Sequence, residues 1–237
     1  MRLVIEHIDW SRDTHALTTE LVHYCINVHR IPDGGALTIS DGAGKTADFV
    51  LVSSEGQWLA KRVGKILASS NIAPISVCFG LPKGDKLDRV VRQLSELGIE
   101  QLILVRMARN VVVLEGARLA KRIERLRRIA TEAARQSQRS ALLEILGPMD
   151  FSEALQYAKT FTHALYCEPT KTRSMPAMQS EESCCIFVGP EGGFATAECQ
   201  DMSAQGVIGV HLGRTVLRTE TAAIVAATTA LTRLNYL

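Results

Sequence analysis

The sequence predicts an α/β protein with a small N-terminal β domain and a larger C-terminal domain built on a parallel sheet. Roughly the first 70 residues contain short strand-like runs separated by turn signals. From residue 72 onward, apolar strands alternate with helices, an order typical of a parallel sheet with helices on its faces. The chain has 237 residues, enough for two modest domains, which we place at 1–71 and 72–237.

The N-terminal domain is predicted from a hairpin pattern. Two strand-like runs, 36–40 and 49–53, flank a glycine-rich turn. The turn contains GAGKT at 42–46, but a phosphate-binding loop needs a glycine at position 39, where Ile39 stands. The segment is therefore predicted to be a turn in a small β-barrel and not a nucleotide site.

The C-terminal domain is predicted from apolar spacing. In one well-defined helix, apolar residues recur at helical spacing from Leu87 to Leu97, Asp85 precedes them as a cap, and Gly98 follows. The predicted strands span 75–79, 102–105, 143–146, 164–166, 185–188 and 207–212, and the predicted helices span 85–97, 117–137 and 219–234. In such a domain, ligands bind beyond the carboxyl ends of the strands.

Composition sets limits on function. The chain is 46% hydrophobic and 22% charged, and with a net charge of only +2, any nucleic-acid affinity depends on where the charges lie. None of the six cysteines forms a CxxC pair and the six histidines lack ligand spacing, so we expect buried reduced thiols and no metal. Cys184 and Cys185, adjacent in a strand, are expected to face opposite sides of the sheet. The absence of a signal-peptide pattern and of a long apolar stretch predicts a cytoplasmic protein that does not act at a membrane.

Two glycine-bearing loops are the candidate ligand sites. FVGPEGGF at 187–194 and HLGRTVLRTET at 211–221 are both associated with predicted buried strands and extend past their carboxyl ends. Glycines in such positions let a ligand approach the backbone, although each loop is also compatible with a simple tight turn into a helix. No G-x-G-x-x-G pattern is present, which argues against a nicotinamide or flavin site.

The predicted helix 117–137 and the residues just after it are strongly basic. Eight cations lie between Arg118 and Arg139, against two acidic residues, in a protein that is nearly neutral. An apolar stripe that includes Leu119 and Ile123 faces inward, so the charges face outward. Such a face either contacts RNA phosphates or is simply solvated, and the sequence leaves both interpretations open.

Four segments together make the chain resemble the bacterial 16S ribosomal RNA uridine-N3 methyltransferases, the RsmE family of the SPOUT superfamily. They are LPKGDKLD at 81–88, TEAARQSQR at 131–139, FVGPEGGF at 187–194 and LGRTVLRTETA at 212–222. The resemblance spans essentially the whole chain. It implies a PUA-like β-barrel that binds RNA, followed by a SPOUT α/β domain with a C-terminal trefoil knot. It also implies a homodimer, S-adenosylmethionine as the cofactor, and 16S ribosomal RNA in the small ribosomal subunit as the substrate.

The resemblance implies the site residues as well. The backbone of three loops would hold S-adenosylmethionine, at Leu165, Tyr166, Val188, Gly189, Glu191, Gly192, Gly193, Leu212, Gly213, Val216, Leu217 and Arg218. RNA contacts are expected from Arg109, Arg122, Arg125, Gln136 and Arg139.

The implied reaction points to two catalytic candidates. If the N3 proton of uridine titrates roughly two to three units above neutral, its removal costs about 3–4 kcal/mol at pH 7. A cation beside the uracil oxygens lowers this cost, and Arg218 is the first candidate, followed by Arg109 and Arg139. Glu191 either holds the sulfonium side of the cofactor, takes the proton, or only shapes its loop.

Three other functions fit the same sequence. A SPOUT enzyme could methylate a ribose 2′-hydroxyl instead of a base. A ribosome-assembly protein could bind RNA without catalysis, although the intact glycine loops favour cofactor binding. A generic nucleotide-binding α/β enzyme is the third alternative.

Overall fold

The structure is a computed structural model that describes residues 1–68, 72–111 and 115–237. The chain forms two compact units: unit 1 comprises Met1–Asn71 and Ala134–Leu142, and unit 2 comprises Ile72–Ala133 and Leu143–Leu237. The domain boundary that we predicted at 71/72 adjoins residues 69–71, which lie outside the described residues. The predicted mixed α/β class is confirmed, since helices and strands are interspersed along the described chain.

Unit 1 is built around one mixed sheet. Its elements are β1 (Arg2–Val4), β2 (Thr14–Ala16), α1 (Thr19–His23) followed by a π-helical segment (Tyr24–Val28), β3 (Ala36–Ser40), β4 (Lys45–Ser54), β5 (Gln57–Arg62) and β6 (Leu67–Ala68). The strands follow the order β1-β3-β4-β5-β2, with β6 paired to β4. Among the described residues, β1 and β2 end this path and β6 pairs only with β4, so the strands do not close on themselves and the predicted barrel is not confirmed. Its core contains the fully buried side chains of Leu3, Ile39, Phe49 and Leu51.

Residues 42–44 of the GAGKT segment form a turn, as predicted, whereas Lys45 and Thr46 already belong to β4. The carboxylate of Asp41 accepts hydrogen bonds from the amides of Ala43 and Lys45, at 2.8 and 3.0 Å, and so closes the turn between β3 and β4. The carbonyl of Ser140 accepts hydrogen bonds from the Ser40 hydroxyl and the Gly44 amide. These bonds explain why segment 134–142, which the sequence assigned to the second domain, belongs to unit 1.

The chain from residue 72 onward alternates strands and helices. Its elements are β7 (Ala73–Gly80), α2 (Lys86–Leu97), β8 (Ile99–Arg106), α3 (Gly116–Gln136), β9 (Glu144–Asp150), α4 (Phe151–Ala158), β10 (His163–Cys167), β11 (Cys184–Val188), α5 (Thr196–Ala204), β12 (Ile208–Val210) and α6 (Thr219–Arg233). The strands form one parallel sheet in the order β12-β10-β11-β7-β8-β9.

This strand order creates a switch point between β7 and β11. From β7 the chain moves outward through β8 and β9, and then returns to the other side of β7 with β10 and β11. Because all strands are parallel, the loops that follow β7, β10, β11 and β12 leave from the same edge of the sheet. In open α/β sheets this edge is where ligands bind.

The central strands are buried on both faces, as parallel strands usually are. Cys184 belongs to the apolar core on one face of the sheet and Cys185 to the core on the other, which confirms the predicted alternation. Burial raises the pKa of the Cys184 thiol, and a contact with the Cys78 sulfur at 3.6 Å, together with burial, raises the pKa of Cys185. All six cysteines are free; Cys167 and Cys199 are partly exposed and the other four are buried.

Two predicted elements can be compared closely with the structure. The helix predicted at 85–97 is α2, with Asp85 at its N-cap and Gly98, in the left-handed conformation, at its C-cap. The strand predicted at 207–212 is shorter, because β12 is an edge strand that pairs only with β10 over three residues. Apolar periodicity does not reveal where a strand loses its partner. Among the described residues, no helix has both the length and the apolar character needed to cross a bilayer.

Candidate functional site

The loops at the carboxyl edge of the parallel sheet enclose a cavity of about 560 Å³. This volume lies within the roughly 300–1,000 Å³ that is typical of small-molecule sites. The cavity is lined by Lys86, Arg109, Cys167, Glu168, Pro169, Val188, Gly189, Pro190, Glu191, Gly192, Gly193, Phe194, Leu212, Gly213, Thr215, Val216, Leu217, Arg218, Thr219 and Ala222. The two glycine loops singled out in the sequence therefore meet at one site, together with the loop after β10.

The structure places the predicted cofactor residues in two groups. Every residue predicted in the loops after β11 and β12 lines the cavity. Leu165 and Tyr166 instead lie within β10, where they are 0% and 1% exposed and form part of the sheet beside the cavity wall. The wall is formed by the residues that follow them, Cys167, Glu168 and Pro169, because β10 continues one residue beyond its predicted end.

Two residues at the end of β10, Cys167 in the strand and Glu168 just after it, bring polar side chains to the site that the sequence did not predict. Burial raises the pKa of the Cys167 thiol to about 12, so it stays protonated at physiological pH and is a poor nucleophile. The Glu168 amide donates to the Val210 carbonyl at 2.9 Å and so ties the β10 loop to β12. Among the described residues, the Glu168 carboxylate accepts only two long hydrogen bonds, from the amide and the hydroxyl of Thr170, both at 3.4 Å. Had β10 been predicted to end at Cys167 and not at Tyr166, both residues would have been expected at the carboxyl edge of the sheet.

The loop after β11 folds back on itself. A Cβ on Gly189 would lie 3.2 Å from the carbonyl carbon of Gly193, so a larger residue would push the loop open. The Thr219 hydroxyl, on a residue that is 7% exposed, donates to the Gly189 carbonyl at 2.5 Å. This bond attaches the first residue of α6 to the β11 loop.

Gly213 lies near the start of the loop after β12, which follows Val210. Its φ of +149° lies in the region that L-residues rarely adopt, and an added Cβ would meet no atom within 4 Å. The glycine is thus required by backbone conformation, and it leaves open space on its side of the cavity.

Arg109, predicted as an RNA contact, lies at this cavity. Its guanidinium donates to the Gly192 carbonyl at 2.8 Å. The preceding residue is fixed by a buried carboxylate, since Glu198 accepts hydrogen bonds from the amides of Ala108 and Ala195 at 2.8 and 2.7 Å. The loop after β8 is therefore attached both to α5 and to the β11 loop.

Glu191 is held by the loop after β7. Its Oε1 atom accepts hydrogen bonds from the Lys86 ammonium at 2.8 Å and from the Lys83 amide at 3.1 Å. Partial burial alone raises the pKa of Glu191, but the hydrogen bonds from Lys86, from its own amide and from Lys83 outweigh it. The pKa therefore lies below its ordinary value. Lys86 was not predicted as a site residue.

Arg218 immediately precedes α6, as its N-cap, and its exposed side chain is at the cavity. Within the described part of the chain, its guanidinium has no ion-pair or hydrogen-bond partner. It is therefore available to a ligand in the cavity.

The predicted RNA-contact arginines of α3 have an intramolecular partner. Asp88, whose side chain is 11% exposed, forms ion pairs with Arg122 at 2.9 Å and with Arg125 at 2.6 Å. The side chain of Arg122 is 20% exposed, whereas that of Arg125 is 60% exposed. Gln136 and Arg139 belong to unit 1, and burial lowers the pKa of Arg139.

These features define a class of protein. An open parallel sheet with a cavity of this size at its switch point is typical of α/β enzymes that bind a small molecule at the strand ends. No group of three or more His, Cys, Asp or Glu side chains that could hold a metal ion occurs within residues 1–68, 72–111 and 115–237.

Comparison with known proteins narrows this class. Residues 69–231 match the model of a family described as an RNA methyltransferase domain. The ribosomal RNA small subunit methyltransferase E of Bacillus subtilis is 32% identical over 224 residues, which cover 90% of this chain and 88% of that protein. The protein of the same name from Mycobacterium bovis is 30% identical over 236 residues, which cover 95% of this chain and 90% of that protein.

A solved structure agrees with these relatives. The crystal structure of a ribosomal RNA small subunit methyltransferase E from Neisseria gonorrhoeae, bound to S-adenosyl methionine, matches with a TM-score of 0.85 and 26% identity. The match covers 98% of this chain and 96% of the other. The chain belongs to the RNA methyltransferase family and, within it, to the ribosomal RNA small subunit methyltransferase E group, which confirms the resemblance seen in the sequence.

Replacing Thr219 by valine is expected to destabilise the protein by about 1–3 kcal/mol, because the buried Gly189 carbonyl would lose its donor while the shape of the side chain is kept. Denaturant unfolding of the parent and the variant measures the difference. Thr219→Ser is the matched control, since it retains the hydroxyl and should lose much less. A loss in Thr219→Ser, with Thr219→Val as stable as the parent, would show that the methyl group matters and the hydrogen bond does not.

Proposed function

We propose that this protein uses S-adenosylmethionine to methylate N3 of a uridine in 16S ribosomal RNA of the small ribosomal subunit. The observation that carries the proposal is the cavity at the switch point, where the loops after β10, β11 and β12 converge. Membership of the RNA methyltransferase family supports the reaction type, and the S-adenosyl methionine bound to the Neisseria relative supports the cofactor. A ribosomal substrate implies that the protein works in the cytoplasm.

The cavity suits this cofactor. Its volume of about 560 Å³ is sufficient for a ligand of that size, and Gly213 leaves open space on one side. Loop amides and carbonyls offer partners for the adenine, and the carboxylate of Glu168 offers an acceptor for a hydroxyl or an ammonium group. When bound, S-adenosylmethionine supplies an electrophilic methyl group.

Arg218 has the features expected of the residue that stabilises the uridine anion. It lies at the cavity, its guanidinium is unpaired among the described residues, and it is always cationic near neutral pH. A guanidinium beside the uracil oxygens favours loss of the N3 proton, because the charge of the anion spreads onto those oxygens. Arg109 is less suited, since its guanidinium already binds the Gly192 carbonyl.

Glu191 is better suited to holding charge than to moving a proton. Its lowered pKa keeps it ionised and makes it a weak acceptor at neutral pH, so the N3 proton passes to solvent. The carboxylate organises its loop and adds negative potential near a cationic cofactor.

The remaining parts of the proposal concern architecture. Unit 1 is a PUA-like RNA-binding module, and unit 2 is a SPOUT domain whose C-terminal segment forms a trefoil knot. Two chains form a homodimer. What supports these assignments is the resemblance of the four sequence segments, at 81–88, 131–139, 187–194 and 212–222, to the RsmE family.

RNA binding is assigned to the outer face of α3. Arg118, Lys121, Arg125 and Arg128 are all exposed and are spaced so that they share one face of the helix. Arg122 and Arg125 both form ion pairs with Asp88, but the side chain of Arg122 is only 20% exposed and also donates to the Gly84 carbonyl, so its role is structural. The exposed cations Arg118, Lys121 and Arg128 match the charge of a phosphate backbone, and Arg125 lies beside them in its pair with Asp88.

The proposed reaction is tested by incubating the protein with S-adenosylmethionine and small ribosomal subunits from cells that lack this modification. Digestion of the RNA and mass spectrometry of its nucleosides should reveal 3-methyluridine. A 2′-O-methylated nucleoside would instead support the ribose-modifying alternative, and no methylated product would support a non-catalytic RNA-binding protein.

Arg218→Ala is expected to slow the single-turnover methyl transfer roughly 100- to 1,000-fold, as the loss of one group that stabilises a developing anion typically does. The rate in the parent should rise with pH until the bound uridine titrates, and the variant should require a higher pH. Arg214→Ala is the matched control, because Arg214 lies in the same loop and does not line the cavity. A flat profile in the parent, with no effect of Arg218→Ala, would exclude this role.

Changing Arg118 and Arg128 to glutamate should weaken RNA binding and leave cofactor affinity unchanged. Log affinity falls with log salt concentration, and each lost phosphate contact makes this slope less steep by roughly one. The slope of the double variant should therefore be less steep than that of the parent by roughly two. Arg233→Glu on α6 is the control, since it is an equally exposed arginine outside α3. An unchanged salt slope would mean that the basic face is only solvated.

A further inference from the structure

One carboxylate joins the loop after β7 to the loop after β11. Glu191 Oε1 accepts hydrogen bonds from the Lys86 ammonium at 2.8 Å and from the Lys83 amide at 3.1 Å. Glu191 and Lys86 are 105 residues apart in the chain. They meet because β7 and β11 are neighbours in the sheet. The pair therefore bridges the switch point at which the cavity lies.

The environment of the pair favours a real electrostatic contribution. The side chains of Lys86 and Glu191 are 29% and 27% exposed, so solvent screens them less than an open surface pair. Lys86 is also the first residue of α2, where the helix dipole disfavours a cation. A lysine at this position therefore does not stabilise α2. Its ion pair with the Glu191 carboxylate explains its presence.

The pair acts on a loop that would otherwise be loosely held. Gly189, Gly192 and Gly193 line the cavity, and glycines give a loop high conformational entropy. Thr219 holds the Gly189 carbonyl and Arg109 holds the Gly192 carbonyl. Between these two points, the side chain of Glu191 is held by Lys86.

We propose that Lys86 is a positioning residue of this methyltransferase. Through Glu191, its ammonium keeps the 189–193 loop in the conformation that receives the cofactor. The identity of the cofactor rests on the proposed function. The claim that Lys86 restrains the loop does not depend on it. Lys83 differs from Lys86 because the structure gives its main-chain amide, not its side chain, as the donor to Glu191.

Three variants test the proposal in the full-length protein: Lys86→Met, Lys86→Arg and, as the matched control, Lys83→Met. Isothermal titration with S-adenosylmethionine, without RNA, should show an affinity roughly 10-fold weaker for Lys86→Met, as expected when a charged hydrogen bond is lost. Lys86→Arg should restore most of the affinity, and Lys83→Met should match the parent. At saturating cofactor, the single-turnover rate should fall less than the affinity does, and its pH profile should keep its shape.

Hydrogen exchange provides a readout that needs no cofactor. In the free protein, the amides of Gly192 and Gly193 should exchange faster in Lys86→Met than in the parent or in Lys83→Met. In a Glu191→Gln background, Lys86→Met should add much less to the exchange and to the loss of affinity than it does in the parent, because the charged partner of the ammonium is already absent.

Several results would overturn the proposal. Normal affinity and normal exchange in Lys86→Met would do so, as would equal effects of Lys83→Met or additive effects of Glu191→Gln. Normal affinity with a shifted pH profile would assign Lys86 to the uridine instead of the loop. If the parent failed to bind S-adenosylmethionine, the proposed function would fail, and the exchange experiment would still decide the role of Lys86.

Discussion

The parallel pairing of β7 with β11 is the constraint on which the site depends. The pairing runs from Ile75 opposite Cys184 to Phe79 opposite Val188, and both strands are buried on both faces. A slip of one residue would exchange the side chains between two different cores, so the register is strongly specified. Because Phe79 and Val188 are opposite each other, the loops that follow them leave the sheet side by side.

The glycine loop after β11 is held from outside and not by its own sequence. Its carbonyls and its one carboxylate are bound by Thr219, Arg109 and Lys86, which belong to three different parts of unit 2. Each bond restricts a segment whose glycines would otherwise leave it mobile. A loop fixed in this way loses less entropy when a ligand binds, which favours affinity.

The positive charge of this protein is concentrated on one helix, although the net charge of the whole chain is small. Asp88 neutralises cations on the inner side of α3, with Arg122 nearly enclosed and Arg125 at the margin. The outer side keeps its positive charge, although the whole chain carries only +2. One helix thus packs against α2 through ion pairs and also presents a basic face, and its sequence does not separate these two roles.

From residue 72 onward, the sequence alone predicted the six described strands and three of the five described helices, and it identified the two glycine loops and the family, because periodicity, turn chemistry and short motifs are local properties of the chain. The short helices α4 and α5 were not predicted. Tertiary structure decided which distant residues meet. Only the β7–β11 pairing brings Lys86 to Glu191, only the true end of β10 brings Glu168 to the cavity, and only packing turns Arg122 toward Asp88. The physical reason is that the position of a residue within a helix or strand determines the face on which its side chain lies. Which residue it contacts depends instead on which strands and helices become neighbours in the fold.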